Sequence, residues 1–389
     1  MYKHLYQRFL KAHPQELHFA CHSHHYWPDI SREAHMQYWD DSAKFVDNKW
    51  EHIFSTKVPQ AQKLIAEALN LSHPEQIVFA PNTHEFVFRL LSSLDWNRKL
   101  RILTTDSEFY SFDRQINRLS ELGNFEVVKV PTLPFASFHE RFEKELQQGA
   151  WDMVFISHVF FNSGLACDIK RLAQKAPSDS LFVIDGYHSF LAVPVDLAPL
   201  QKKVFYLAGS YKYAQGGEGA CFLYVPPGTR HRPFHTGWFA ELSHLAAVGN
   251  QVGYPEDALQ YAGSTMDFSG LYRLIAVLEK FKSEGLSVAN IHQIVKRNQQ
   301  SFLAALEKNP HPVLNAQNLV NPEISGLDRG HFLTFECPSV ERTQTLVAEL
   351  KRHHVQTDSR STRLRFGFGL YHDADDIQEL VSRISRLSS

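Results

Sequence analysis

Apolar and polar residues alternate along this chain with two different periods. Over 58–70 (VPQAQKLIAEALN), Leu64, Ile65, Ala68 and Leu69 fall on one side of a helix, so the spacing predicts an amphipathic helix. A short apolar run, Ile77-Val78-Phe79, follows, and then a predicted helix over 83–94. Strands are predicted at 101–103 and 126–130, each followed by a helix, over 109–122 and 137–147. Three further runs, at 153–156, 181–184 and 204–207, are short and apolar, with β-branched and aromatic residues. Strands covered on both faces read this way. One more strand is predicted over 220–225, after a glycine-rich turn. Such alternation predicts an α/β domain built on a mostly parallel sheet.

The pattern changes near residue 226. The stretch 226–263 is rich in Pro, Gly and aromatic residues and reads as long loops. Helices are predicted over 270–282 and 288–308, then strand 331–335, helix 339–352, strand 363–367 and helix 374–386. That succession describes a smaller α+β domain. The expected division is a large domain over 51–275 and a small C-terminal domain over 276–389. Residues 1–50 are expected to pack on the other two and to contribute to the opening of the site.

Composition narrows the class. The 389 residues are 43% hydrophobic and 21% charged, with a formal net charge of −2, so nothing points to a nucleic-acid or anionic-membrane partner. No apolar run approaches the roughly 20 residues needed to span a bilayer. The start, MYKHLYQRFLKAHPQELHF, is amphipathic and lacks a long apolar stretch, so no signal peptide is expected. Cys21, Cys167, Cys221 and Cys337 are scattered, which predicts reduced thiols and a cytoplasmic location. The cluster Cys21-His22-Ser23-His24-His25 invites a metal reading. Neighbouring side chains diverge, however, and no HExxH or carboxylate partner is nearby, so no metal is expected.

The chemistry concentrates between 181 and 221. One apolar strand ends in Asp185-Gly186-Tyr187-His188; the next ends in Gly209-Ser210-Tyr211-Lys212-Tyr213, followed by Ala214-Gln215-Gly216-Gly217-Glu218-Gly219. Ligands of open α/β sheets bind beyond the carboxyl ends of the strands, so Asp185 and Lys212 can face one pocket. Pyridoxal 5′-phosphate (PLP) needs both groups. A lysine amine holds the cofactor covalently through its aldehyde, and a carboxylate keeps the pyridine nitrogen protonated so that the ring draws electrons. A desolvated site favours the unprotonated, nucleophilic amine. Either residue alone reads as a surface lysine or a capping aspartate; the two together, with the glycine turn, read as a PLP site on an amino-acid enzyme.

These segments resemble the class V aminotransferase family of fold type I PLP enzymes, and within it most resemble the kynureninases. The resemblance runs along nearly the whole chain. Phe19-Ala20-Cys21-His22-Ser23-His24-His25-Tyr26-Trp27-Pro28 is similar to the loop that opens the kynureninase site; Asn82-Thr83-His84-Glu85 is similar to the turn into the helix that holds the cofactor phosphate. A helix N-terminus suits a phosphate. Within Glu108-Phe109-Tyr110-Ser111, Phe109 matches the aromatic residue stacked on the pyridine ring. Asp185 and His188 match the family's Asp-x-x-His, and Tyr211-Lys212 its Tyr-Lys pair. The resemblance implies that Tyr211 contacts the phosphate or joins the proton relay. In Gly237-Trp238-Phe239, before Glu241-Leu242-Ser243, Trp238 would reach the phosphate and Phe239 line the substrate pocket. Tyr261-Ala262-Gly263-Ser264-Thr265 resembles the segment that crosses a dimer interface, so Ser264 and Thr265 would complete a partner's site in a homodimer. Leu364-Arg365-Phe366-Gly367, before Leu370-Tyr371 and Asp375-Asp376, resembles the strand whose arginine grips the substrate α-carboxylate. A planar guanidinium suits that clamp. Arg363 lies on the same strand face by alternation and competes for the role.

The departures from kynureninase fall on the substrate side. Thr265 stands where an asparagine is usual, His22 replaces an asparagine of the opening loop, and 45–50 lacks a histidine that approaches the aryl ring there. His22 and Ser23 are therefore candidate substrate contacts, and His22 with Asp47 is expected to line an altered pocket. The implied activity is hydrolysis of a Cβ–Cγ bond, giving alanine and an anthranilate-type product. The alternatives are an aminotransferase, a β-eliminating lyase, an epimerase, or an enzyme like a cysteine desulfurase or selenocysteine lyase. Desulfurase chemistry needs a mobile cysteine on a C-terminal loop, and 356–365 (QTDSRSTRLR) has none.

Overall fold

The computed structural model describes residues 2–242 and 252–387; Ser243 of the segment after Trp238 lies outside them. The main sheet contains β1 (Ile77–Ala80), β2 (Leu100–Thr105), β3 (Phe125–Val130), β4 (Met153–Ser157), β5 (Leu181–Asp185), β6 (Val204–Gly209) and β7 (Cys221–Tyr224). Their spatial order is β1-β7-β6-β5-β4-β2-β3. Strand β7 runs antiparallel to both neighbours, while the remaining pairings are parallel. Every residue of β4 and β6 is buried, which explains why both read as unbroken apolar runs. This is the mostly parallel α/β sheet that the apolar runs predict.

Register sets the site. Ser157 pairs with Asp185, and Asp185 with Leu207, so β4, β5 and β6 end close together. Cys221 pairs with Gly209 on one side and Ala80 on the other. The turn into helix Thr83–Ser92 therefore opens at the same edge as the turn after β6.

A second, three-stranded antiparallel sheet contains β8 (Phe332–Glu336), β9 (Asp358–Arg360) and β10 (Arg363–Gly367), in the order β9-β10-β8. Helices Val288–Lys308, Val340–Arg352 and Ala374–Ile384 cover it, closing a core of Phe302, Phe335, Leu346, Leu364, Phe366 and Leu380. The N-terminal segment joins this unit. Leu17 and His18 pair in parallel with Val355 and Gln356, and the Gly367 N–H donates to the Phe19 carbonyl at 2.6 Å. Gly367 has to be glycine here: a Cβ would lie 2.4 Å from His22 Nδ1 and 2.9 Å from its backbone nitrogen. The segment thus lies along β10 and delivers residues 21–25 to the carboxyl edge of the main sheet.

Among the helices that went unread in the sequence, two are informative. Helix Ile30–Phe45 buries only Ser31 and Asp41 among its residues, so it carries no apolar stripe to reveal it. It packs instead against Ser269–Ser283, where the Tyr272 hydroxyl donates to Asp41 at 2.9 Å. Helix Ile169–Lys175 is two turns long and is announced only by its cap, Asp168, which accepts from the Arg171 N–H. Among the described residues, no helix is long and apolar enough to cross a membrane.

Helix Ser269–Ser283 also clamps the turn after β6. The Arg273 guanidinium donates from Nε to the Gly216 carbonyl at 2.7 Å and from Nη2 to that of Glu218. The contact requires Gly270, whose Cβ would lie 2.7–2.9 Å from backbone atoms of Gly219, Glu218 and Ala220. Backbone cannot step aside as a side-chain tip can. Gly270→Ala is expected to cost about 1–3 kcal/mol, as overpacking does. The measurement is a lowered urea midpoint at unchanged slope; an unchanged midpoint would show that helix and turn part freely.

Candidate active site

Lys212 leaves β6 at the start of a tightly bonded turn. The Ser210 N–H donates to Ala220 at 2.9 Å, the Gly216 N–H to Ser210 at 2.9 Å, and the Gln215 N–H to Lys212 at 3.0 Å. From the N-terminal segment, the Tyr6 hydroxyl donates to Gln215 Oε1 at 2.5 Å. With its backbone so fixed, Lys212 is 8% exposed. Its amine contacts His188 Nε2 and lies 5.3 Å from the ring centroids of both Phe109 and Tyr187. Burial pushes its pKa well below the usual lysine value; Arg365 and Arg360 push the same way, against Asp185 and Asp358. The outcome is an amine ready to lose its proton, as a nucleophile or base requires.

Asp185 ends β5, one strand away, and its Oδ1 accepts the Tyr187 N–H at 2.8 Å. Burial raises its pKa while the backbone bond and Lys212 lower it. A buried carboxylate with one hydrogen bond is a strong acceptor for a cationic ring N–H. His188 is held neutral by burial, by Lys212 and by Arg365, and its Nδ1 has no partner.

On the substrate side the structure brings His22 and Arg365 to the same pocket. His22 is fully buried, stacks on Phe332 at 4.8 Å, and has both ring nitrogens unpaired. Burial, then Arg365, His188 and Lys212, keep it neutral. The adjacent histidines diverge. His24 is exposed beside the Tyr211 ring at 5.5 Å, while His25 points into a cluster with Tyr6 and Tyr371. Ser23 is half-buried between them. Arg365 is 2% exposed, and its Nε has no partner. Arg363 faces a different environment, donating to the Asn162 carbonyl at 3.3 Å and pairing with Glu336 at 3.4 Å. Of the two arginines, Arg365 is the one whose charge reaches both His22 and Lys212.

The phosphate side is looser. Thr83 opens helix Thr83–Ser92, whose cap Asn82 accepts the Glu85 N–H at 3.0 Å; His84 is exposed and bonded to Gln115. Tyr211 is half-buried. Trp238, Ser264 and Thr265 form an exposed patch in which the indole N–H donates to the Thr265 hydroxyl at 3.1 Å. Phe239 is buried among the rings of Trp50, Phe54 and Phe268. Asp47 is exposed on the turn Val46–Asn48, away from the Lys212 cluster.

Sequence reasoning passed over Glu108. It is buried where β2 and β4 end, accepting from the Thr105 hydroxyl at 2.7 Å, the Ser157 hydroxyl at 2.6 Å and the Ser157 N–H at 3.2 Å. Its position after a strand and before the stacking residue was the available signal. Tyr187, Asp358 and Arg360 were also unassigned.

The residues fit PLP. They offer a buried amine, a strand-end carboxylate and an aromatic ring at one sheet edge. Unpaired buried atoms of His22, His188 and Arg365 surround them, as in a cavity that receives a polar guest. Among the described residues, no group of three or more His, Cys, Asp or Glu is placed to hold a metal ion.

The family model described as aminotransferase class-V matches residues 32–380. No curated protein sequence gives a significant match. Among solved structures, a C-DES variant with glycine covalently linked to its PLP cofactor gives a TM-score of 0.83 at 17% identity, covering 99% of each chain. C-DES, a cystine C–S lyase, in complex with its product cysteine persulfide gives 0.81 at 17% identity, covering 98% of this chain and 100% of that one. The apo cysteine desulfurase from Thermococcus onnurineus NA1 gives 0.76 at 16% identity, covering 96% and 94%. At such identities the likeness speaks for the fold.

Burial pushes the Glu108 carboxyl up to about 8, against its hydrogen bonds. Between the unfolded value of about 4.3 and 8, the folded state holds a proton that the unfolded state lacks. This contribution is complete below that window and is lost as pH rises through it. Glu108→Gln keeps a donor and an acceptor without the proton. Between about pH 5 and pH 8 the unmodified protein is therefore expected to lose stability relative to Glu108→Gln. Urea midpoints across that range check it, and parallel curves would show Glu108 to be ionised throughout.

Proposed function

This chain belongs to the aminotransferase class-V family of PLP-dependent enzymes, and from that premise we propose that it cleaves a bond at Cβ of an α-amino acid. The observation that carries the proposal is the buried amine of Lys212, close enough to Asp185 and Arg365 to feel the charge of both. When bound, PLP supplies a sink for the electrons released at Cα. Asp185 would pair with the protonated pyridine nitrogen. Phe109 would pack against the ring, and Tyr211 with the start of helix Thr83–Ser92 would hold the phosphate. Arg365 takes the α-carboxylate and so orients the Cα–H bond. Lys212, released once substrate takes its place on the cofactor, would remove that proton and return it elsewhere, since burial favours its unprotonated amine.

Two fates of the substrate fit these residues. In β-elimination a group on Cβ departs with its electrons. In the kynureninase-like fate, water adds to a γ-carbonyl and Cβ–Cγ breaks, leaving alanine. The similarity to a cystine C–S lyase over nearly the whole chain supports the first. So do His22, Thr265 and the region 45–50, which depart from kynureninase where an aryl ring would be read. The resemblance of the cofactor half supports the second. A cysteine nucleophile is disfavoured under either. All four thiols are buried and pushed above their usual pKa, and 356–365 contains none.

The site is proposed to work in a homodimer. Trp238, Ser264, Thr265 and the nearby Phe234 are exposed, and Trp238 and Phe234 are large apolar groups of the kind that interfaces cover.

The holoprotein is expected to absorb in the visible; borohydride is expected to bleach that band while fixing the cofactor irreversibly to Lys212, and Lys212→Ala is expected to lose both the band and the fixation. Pyruvate and ammonia from L-cystine would support β-elimination. Alanine and an anthranilate from L-kynurenine or 3-hydroxykynurenine would support the hydrolytic reading instead. A colourless protein indifferent to borohydride would overturn the proposal. Sedimentation of the holoprotein is expected to give a dimer, and a monomer that turned substrate over would refute the shared site.

A further inference from the structure

Asp358 is not part of the family reading above, yet it holds the guanidinium on which that reading depends. It sits on β9 directly opposite Arg365 on β10. Its Oδ2 accepts from Arg365 Nη2, and Arg365 Nη1 donates to the Phe161 carbonyl. Its Oδ1 accepts from Arg360 Nη1 at 2.7 Å and from the Ser359 N–H at 2.7 Å. The carboxylate thus ties two guanidiniums together. Each of those guanidiniums keeps a buried Nε with no partner. Neutral His22 lies 3.8 Å from Oδ2.

A carboxylate on an arginine that binds carboxylates could be a rival for the substrate or a brace. The geometry decides between them. Both Asp358 oxygens are engaged in charge-assisted bonds, and its backbone pairs with that of Arg365 in the ladder. Displacing it would break two arginine pairs, one of them deeply buried. The buried Nε of Arg365 meanwhile has no partner among the described residues, so it remains a donor that a ligand can take without displacing Asp358. We infer that Asp358 is a positioning residue for substrate recognition: it fixes the plane of Arg365 so that the Nε edge faces the α-carboxylate. It also cancels one of two positive charges, which leaves the pair a net single charge to match a single carboxylate.

This inference rests on reading the pocket as an α-amino-acid site, and the test separates the two. The holoprotein is titrated with L-alanine and with ethylamine, the same molecule without its carboxylate, and the visible band is followed. Neither ligand carries a leaving group on Cβ or a γ-carbonyl, so the titration reads binding whichever reaction the site performs. Asp358→Asn is expected to raise the apparent Kd for alanine by about tenfold or more and to leave that for ethylamine within about twofold, as loss of a charge-assisted brace on a carboxylate clamp implies. Asp358→Glu is expected to recover much of the alanine affinity. Arg360→Gln disturbs the brace from its more exposed end, and is expected to weaken alanine alone by a smaller factor. If Asp358→Asn fails to fold, the same alanine-only loss in Arg360→Gln carries the test. Equal loss of both ligands, loss of the visible band, unchanged alanine binding or tighter alanine binding would each overturn the inference. If the unmodified holoprotein prefers ethylamine to alanine, the amino-acid reading itself fails.

Discussion

The amine of Lys212 lies in a pocket where burial opposes its charge and the guanidiniums of Arg365 and Arg360 oppose it further. Water cannot relieve that opposition, so the proton is easily lost, and the surrounding structure exists to hold the amine there. The β6 turn is bonded to itself, to Tyr6 and to Arg273. The parallel register of β4, β5 and β6 sets Asp185 one strand away. A lysine reaching solvent from the same turn would be protonated at neutral pH and chemically idle.

The same pocket collects groups from both sheets, and its charge balance depends on that. The main sheet supplies Lys212, Asp185, His188 and Glu108; the smaller sheet supplies Arg365, Arg360 and Asp358; the N-terminal segment supplies His22. Histidines carrying charge beside Arg365 would add repulsion, and both His22 and His188 are kept neutral by burial and by their cationic neighbours. Asp358 offsets one guanidinium. The polar groups left over are donors and acceptors without a net field against an anionic substrate. Gly367 links the parts mechanically, since the N-terminal segment can approach β10 closely only where no Cβ intervenes.

What the sequence revealed follows from how local each cause is. Strands β4, β5 and β6 were legible because burial on both faces leaves an apolar run that needs no partner to be recognised. Helix Val288–Lys308 was legible as a long helical run between loops. Lys212 and Asp185 stood out because each follows such a strand. Helix Ile30–Phe45 did not, because what holds it is a polar contact to a distant helix. Glu108 was invisible for a similar reason: its ligands, Thr105 and Ser157, end different strands and meet only through sheet order. Strand β9 is too short to announce itself, so the pairing of Asp358 with Arg365 could not be foreseen. The histidine cluster could be bounded but not resolved. Adjacent side chains had to diverge, yet only packing determined that His22 turns inward to the amine while His25 joins Tyr6 and Tyr371.

The cofactor half of the site is therefore a matter of strand ends and the substrate half a matter of hairpins and loops, and this division has a physical basis. An electron-withdrawing ring makes the same demands whatever bond is broken later: a free amine, a carboxylate, a stacking face and an anion site. Rigid elements of the main sheet meet those demands, and their residues are recognisable one strand at a time. The groups that the structure places beyond those strand ends are His22, Ser23 and the Arg365–Asp358–Arg360 brace. These come from the loop after a two-residue strand pairing, from the three-residue strand β9 and from β10. The turn between β9 and β10 is Ser361-Thr362 and contains no cysteine. Under the proposed Cβ cleavage, the proton that Lys212 would take from Cα is the one whose later placement decides the product.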